Sequence, residues 1–172
     1  APDPSSQKAC TIGGNIAENS GGPHCLAYGV TTNHVLAIEA VTSDGSIHWF
    51  GNKAGIAPGY DIRGIIVGSE GTLAIATKIV LRLLREPESV NTLVAAFQKM
   101  SDASTAVSNI IGNGIIPAAI EMMDKLAIEA VEASLHAGYP ADAEAILLVE
   151  VDGLVEEVKK TSRSIQNICK LN

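Results

Sequence analysis

Two runs of glycine and small polar residues carry the strongest chemical signal in the chain. They are Thr11-Ile12-Gly13-Gly14-Asn15-Ile16-Ala17-Glu18-Asn19-Ser20-Gly21-Gly22 and Gly68-Ser69-Glu70-Gly71-Thr72-Leu73-Ala74-Ile75. Glycine permits backbone conformations and close approaches that a Cβ forbids. Successive N–H groups in such a segment can form a concave nest for an anion. Two of them suggest a long ligand that carries phosphate and is held largely by backbone. The plainer alternative is a pair of tight turns between strands. A P-loop is excluded because no Lys lies between Cys10 and Gly22. A Rossmann turn is excluded because the glycines of the first run come as adjacent pairs.

Other residues with chemical potential are few. A catalytic base needs a pKa near neutrality, for which His is the usual choice, and the four histidines are His24, His34, His48 and His136. His48, between Ile47 and Trp49, suits a strand surface, and His136 ends a helical pattern, so none is assigned as a base. Glu121 is a lone carboxylate in an apolar strand, where alternation with Ile120 and Met122 favours the solvent face over a substrate cleft. Glu70 either holds a ligand hydroxyl or sits at a helix N-terminus. Cys10, Cys25 and Cys169 show no paired spacing, so neither a disulfide framework nor a zinc site is expected, and a reducing cytoplasm is the simpler compartment.

The elements that must position these residues change character along the chain. Residues 1–34 read mostly as loop, with a short helix near Ile12 to Asn19. Val35 to Val41 and Ile47 to Phe50 read as strands joined through Asp44-Gly45, a hairpin signal. Gly51 to Tyr60 reads as a loop, Ile62 to Val67 as helical or extended, and Ala76 to Leu84 as a half-buried strand. Arg85-Glu86-Pro87-Glu88-Ser89 is the expected boundary. Beyond it, strands at Val90–Phe97, Ala118–Met122 and Ala145–Val151 alternate with helices. These are a helix capped by Ser101-Asp102 and stopped at Gly112-Asn113-Gly114, one over Lys125–Ala137 capped by Asp124, and one over Leu154–Leu171. The βαβαβα order predicts an α+β sandwich with helices on one face.

Composition bounds the function. A net charge of −7 argues against binding a nucleic-acid backbone. No apolar stretch is long enough to cross a bilayer, and no signal segment opens the chain. With 47% hydrophobic but 3% aromatic residues, the core must be built from Ala, Val, Ile and Leu.

The joint pattern resembles the flavin-binding half of the vanillyl-alcohol-oxidase superfamily, and within it the glycolate oxidase flavoprotein and D-lactate dehydrogenase branch. The resemblance rests on residues 10–25 and 28–36, on Gly59-Tyr60-Asp61, on Gly64 to Leu73, and on Ile116-Pro117-Ala118-Ala119-Ile120-Glu121-Met122-Met123-Asp124. It implies an α+β chain in which residues 1–86 form the second half of an FAD-binding domain, an antiparallel sheet with helices. Residues 87–172 would then form half of a ferredoxin-like substrate cap. The implied cofactor is FAD, and the implied reaction is oxidation of a small 2-hydroxy acid, glycolate or D-lactate. The alternative is a non-catalytic, flavin-domain-like subunit or scaffold. By resemblance, Asp3, Pro4, Ser5, Gly13, Gly14, Asn15, Asn19, Ser20, Gly21 and Gly22 line the pyrophosphate and flavin. Glu70, Gly71, Thr72, Leu73 and Ile75 would lie beside adenine and ribose. A second flavin-domain-like subunit and an iron–sulfur subunit are the implied partners. The chain reads as the middle of a longer protein, expected to self-associate when alone. It departs from the family pattern at Ala37 and Ala74, where glycine is usual, at Arg63, where a small hydroxyl residue is common, and at Lys78, where an acid is common. The Ala74 methyl is expected to crowd the flavin.

Overall fold

The computed structural model describes residues 2–54, 58–140 and 142–172. The chain divides into two compact units, Ala1–Arg85 and Glu86–Asn172. Part of the loop expected between Gly51 and Tyr60 falls at 55–57, outside the described residues.

In the first unit, α1 (Ile12–Glu18), α2 (Cys25–Tyr28) and α3 (Thr31–His34) precede β1 (Val35–Thr42) and β2 (Ile47–Gly51). Helix α4 (Ile62–Ile66) and β3 (Ala74–Leu81) follow. The sheet order is β2-β1-β3, antiparallel throughout. Ile16 of α1 and Ile66 of α4 pack with Val35, Ile38, Ala40, Val67 and Ala74, so both helices are held by one apolar cluster. The β1–β2 turn closes around Asp44, whose carboxylate accepts from Thr42 Oγ1 at 2.6 Å, Ser46 Oγ at 2.8 Å and Ser46 N at 3.1 Å. Those bonds, that of Thr42 first, hold Asp44 down to about 2 from 3.8. A carboxylate depressed in the folded state stabilises it above its unfolded pKa and loses that contribution as pH falls through the folded one. The hairpin tip is therefore expected to loosen between about pH 4 and pH 2 and to be intact at neutrality. An NMR titration of the Asp44 carboxyl carbon checks this, and a midpoint near 3.8 would contradict it.

Strand β3 begins two residues earlier than the alternation predicts, because Ala74 and Ile75 pair with Thr42 and Val41. It also stops short of Leu84. The Arg82 N–H still reaches the His34 carbonyl at 2.7 Å, but β1 starts at Val35 and offers no partner beyond that point.

The second unit runs β4 (Ser89–Phe97), α5 (Met100–Gly112), β5 (Ala119–Asp124), α6 (Lys125–Leu135), β6 (Ala145–Gly153) and α7 (Val155–Leu171). Strand β6 lies between β4 and β5 and is antiparallel to both, so β4-α5-β5 is a split β-α-β unit. Helices α5 and α7 cover one face through Ala103, Ala106, Ile110, Val158 and Ile165 against Phe97, Ala145, Leu147, Val149 and Val151. The expectation that all helices share one face does not hold. Ile128 of α6 packs on Ile146, which points to the side opposite Ala145 and Leu147. The cause lies in β6 itself: Ala145, Ile146 and Leu147 are successive and all fully buried, so both faces need cover. Helix α5 is capped by Lys99 without a side-chain bond, rather than by Ser101 or Asp102, and Asp102 lies in its first turn. The Asp124 carboxylate does cap α6, accepting from Ala127 N at 2.9 Å, but the helix ends at Leu135 because His136 turns left-handed. Replacing Leu147 with Ala is expected to destabilise the second unit by about 2–5 kcal/mol, read as a lowered urea midpoint of an α7 probe.

Candidate functional site

Thr11 starts the first glycine run by capping α1: its Oγ1 accepts from Gly14 N at 3.0 Å and its carbonyl from Asn15 N at 3.0 Å. The helix ends at Asn19, left-handed at φ 49°. Asn19 Oδ1 then accepts from Thr32 N at 2.9 Å and Thr32 Oγ1 at 3.0 Å, while the Ser20 carbonyl takes Thr31 N and Oγ1. Next, Gly22 N donates to Cys25 Sγ at 3.0 Å. A Cβ on Gly22 would run into the Asp3 carbonyl, so this glycine is what lets the Asp3-Pro4-Ser5 turn lie on the run. His24 Nδ1, 3.3 Å from Asp3 Oδ2, adds a second tie.

The second glycine run docks on the far end of α1. Gly68 N donates to the Ile16 carbonyl at 2.8 Å and Glu70 N to that of Ala17 at 2.9 Å. Thus Asp3 to Ser5, Gly13 to Gly22 and Gly68 to Thr72 form one contiguous array, with Leu73 and Ile75 leading into β3 and both largely exposed. Glu70 is left-handed at φ 52° and followed by Gly71 at φ 75°. The element after it is a strand, which removes the helix-N-terminal role considered for Glu70. Asp3, Asn19 and Glu70 are three of the four non-glycine residues with positive φ among those described. Such conformations cost about 1–3 kcal/mol each and concentrate at ligand clamps.

The glycines fall into two classes. Gly21, Gly22 and Gly68 are required by the fold: a Cβ at Gly21 would meet Cys25 Sγ at 2.7 Å, and one at Gly68 would meet Asn19 Cβ at 3.2 Å. A Cβ at Gly13 or Gly71 would meet no atom within 4 Å outside its immediate chain surroundings, although the φ of 75° at Gly71 still calls for glycine. The nest expected from the sequence is correspondingly thinner. The N–H groups of Gly14, Asn15, Asn19, Ser20, Gly22, Gly68, Glu70 and Thr72 are all spent on protein acceptors. Those of Gly13, Gly21 and Gly71 have no protein acceptor among the described residues. Open glycines with unused donors are what a close-lying phosphate or planar ring requires, so the array fits a flavin nucleotide.

Thr11, Cys25, Thr31 and Thr32 hold this array, a supporting role the sequence reading did not assign to them; a Thr directly before a glycine-rich helix start was the available signal for Thr11. The family departures have local partners. The Ala74 methyl is buried in the unit's own cluster, so it does not crowd a ligand, and Ala37 is likewise buried. Lys78 Nζ meets Glu39 Oε2 at 3.0 Å, its register partner on β1, and that bond chiefly holds Glu39 below its ordinary value. Arg63 binds Asp61 at 2.9 Å and the Val35 carbonyl. Glu121 and His48 are exposed, and His136 is a helix cap. No group of three metal-ligating side chains occurs among the described residues, and none of their helices is long and apolar enough to cross a membrane.

Residues 1–51 match the FAD binding domain profile, and residues 86–172, just over half of the chain, match that of FAD linked oxidases, C-terminal domain. The glycolate oxidase subunit GlcD of Escherichia coli (strain K12) is 49% identical over 168 residues, covering 98% of this chain and 34% of that protein. GlcD of Bacillus subtilis (strain 168) is 44% identical, covering 98% and 36%. D-lactate dehydrogenase of Archaeoglobus fulgidus is 35% identical, covering 95% and 38%. The chain thus spans little more than a third of these relatives. Among solved structures, alkyldihydroxyacetonephosphate synthase superposes with a TM-score of 0.80 at 23% identity, covering 98% of this chain and 34% of that one, which shows the shared fold. With two FAD-linked profiles laid in order over its two units, the chain belongs to the FAD-linked oxidase family.

Proposed function

We propose that this chain is part of an FAD-dependent oxidoreductase acting on a small 2-hydroxy acid, glycolate or D-lactate. The observation that carries the reading is the open array. A Cβ at Gly13 or Gly71 would find open space, and bonds from Gly68 and Glu70 to Ile16 and Ala17 tie the second glycine run to α1. Residues 1–86 supply one wall of the flavin site and residues 87–172 the first part of the substrate cap. In this reading Asp3, Pro4, Ser5, Gly13, Gly14, Asn15, Asn19, Ser20, Gly21 and Gly22 line pyrophosphate and flavin. Glu70 to Leu73 and Ile75 flank adenine and ribose: the Glu70 carboxylate accepts a ribose hydroxyl, and exposed Leu73 and Ile75 offer apolar surface to the base. FAD, when bound, accepts the hydride from the hydroxyl-bearing carbon. The residues of this chain bind and orient the cofactor and keep water from its covered side. None of its four histidines is assigned as the base.

The relatives named as glycolate oxidase subunits support a multi-subunit assembly, with a second flavin-domain-like subunit and an iron–sulfur subunit as proposed partners in the cytoplasm. Exposed Val90 and Val94 on edge strand β4 support self-association of the chain when alone. The test is the full-length parent. It is expected to be yellow, with a flavin spectrum bleached by glycolate or D-lactate and with dye reduction. A colourless, well-folded parent would instead support the scaffold reading.

A further inference from the structure

Next to the glycine array, with Thr32 common to both, the first unit holds a polar cavity of about 600 Å³ lined by Tyr28, Thr32, Asn33, His34, Arg63 and Arg82, with apolar Leu36 and Leu84 among its walls. Its size is that of a small-molecule site. Among the described residues no carboxylate lines it, although the chain as a whole carries a net charge of −7.

The donors are arranged in two ranks. Arg63 is fixed, with Nε 3.2 Å and Nη2 2.9 Å from the Asp61 carboxylate and Nη1 on the Val35 carbonyl, which leaves part of its five-donor fork unused. Arg82 is exposed and has no ion-pair partner among the described residues, while its backbone N–H is tied to His34. Asn33 Oδ1 accepts from Val30 N at 3.0 Å, so its free polar atom is a donor. His34 is buried, 8% exposed, and its Nε2 has no hydrogen-bond partner among the described residues. A buried imidazole nitrogen without a partner is costly, and beside a polar cavity it signals a missing ligand or water.

We infer that this cavity binds a small oxyanion, a phosphate or carboxylate group, between Arg82 and the fixed Arg63, separately from the flavin array. The inference stands whether or not the flavin reading does. The test is a titration of the chain with inorganic phosphate, and in parallel with glycolate, against chloride at constant ionic strength. The readouts are the His34 imidazole and Asn33 and Arg82 amide NMR signals, with thermal midpoint as a second measure. At least one oxyanion is expected to shift these signals saturably, and Arg82→Gln, which removes an exposed cation without a partner, should weaken binding at least tenfold with the fold unchanged. The arm that saturates distinguishes phosphate from carboxylate. Saturation by neither, or an Arg82→Gln chain that binds as the parent does, would refute the site. So would displacement of the bound oxyanion by FAD, which would make the cavity part of the flavin site.

Discussion

Titrated with FAD, the 172-residue chain is expected to bind more weakly than micromolar and to show no glycolate- or D-lactate-dependent dye reduction. The physical reason is the fate of the backbone donors. Most N–H groups in the two glycine runs are already bonded within the protein, leaving those of Gly13, Gly21 and Gly71 for a ligand. A cofactor with two phosphates needs more donors than that, and the relatives have nearly two-thirds of their length outside this match. A hydrogen bond to a charged group is worth about 1.5–3 kcal/mol. Losing two or three weakens binding by roughly two to six powers of ten at about 1.4 kcal/mol per tenfold. Isothermal titration and a dye assay measure both points. Micromolar binding would mean that the array is complete by itself.

Valine at Gly13 and valine at Gly22 should both strip flavin from the full-length parent, but for different reasons. At Gly13 the added side chain enters open space on α1, and helix propensity does not suffer, since glycine is the poorer helix former. Only a ligand lying against that backbone can be displaced. At about 1–3 kcal/mol for such overpacking, affinity should fall roughly 5- to 150-fold with the fold intact. At Gly22 the side chain would occupy the position of the Asp3 carbonyl, so residues 2–5 must detach. Hydrogen exchange should then report loss of protection at the Gln7 amide, which donates to the Pro4 carbonyl at 2.8 Å, and limited proteolysis should cut near Pro4, which is buried in the intact array. Gly14 makes a less clean test, because its N–H is held by Thr11 Oγ1 and a Cβ there sits 3.3 Å from that oxygen. Normal flavin stoichiometry in Gly13→Val would remove this surface from the cofactor site, whatever happens at Gly22.

What the sequence determined by itself is local or pairwise. The α1 helix, the Asp44 hairpin, the Asp124 cap and the amphipathic α7 follow from short-range chemistry: a side-chain acceptor three residues from an N–H, or a turn whose carboxylate reaches its neighbours. The α6 face was also written there, since an unbroken apolar run through Ala145 to Val149 cannot be buried on one side only. The tertiary structure alone decided which glycines serve the fold and which are left open, because a glycine's role depends on what lies where its Cβ would be. That neighbour can be distant in sequence, as Asp3 is to Gly22. It also decided that the Ala74 methyl turns into the core. The buried, unpartnered His34 beside Arg63 and Arg82 could not be read in advance. Those three residues come from a helix end, a separate short helix and a strand terminus, and only the packing of β1 against β3 brings them to one cavity.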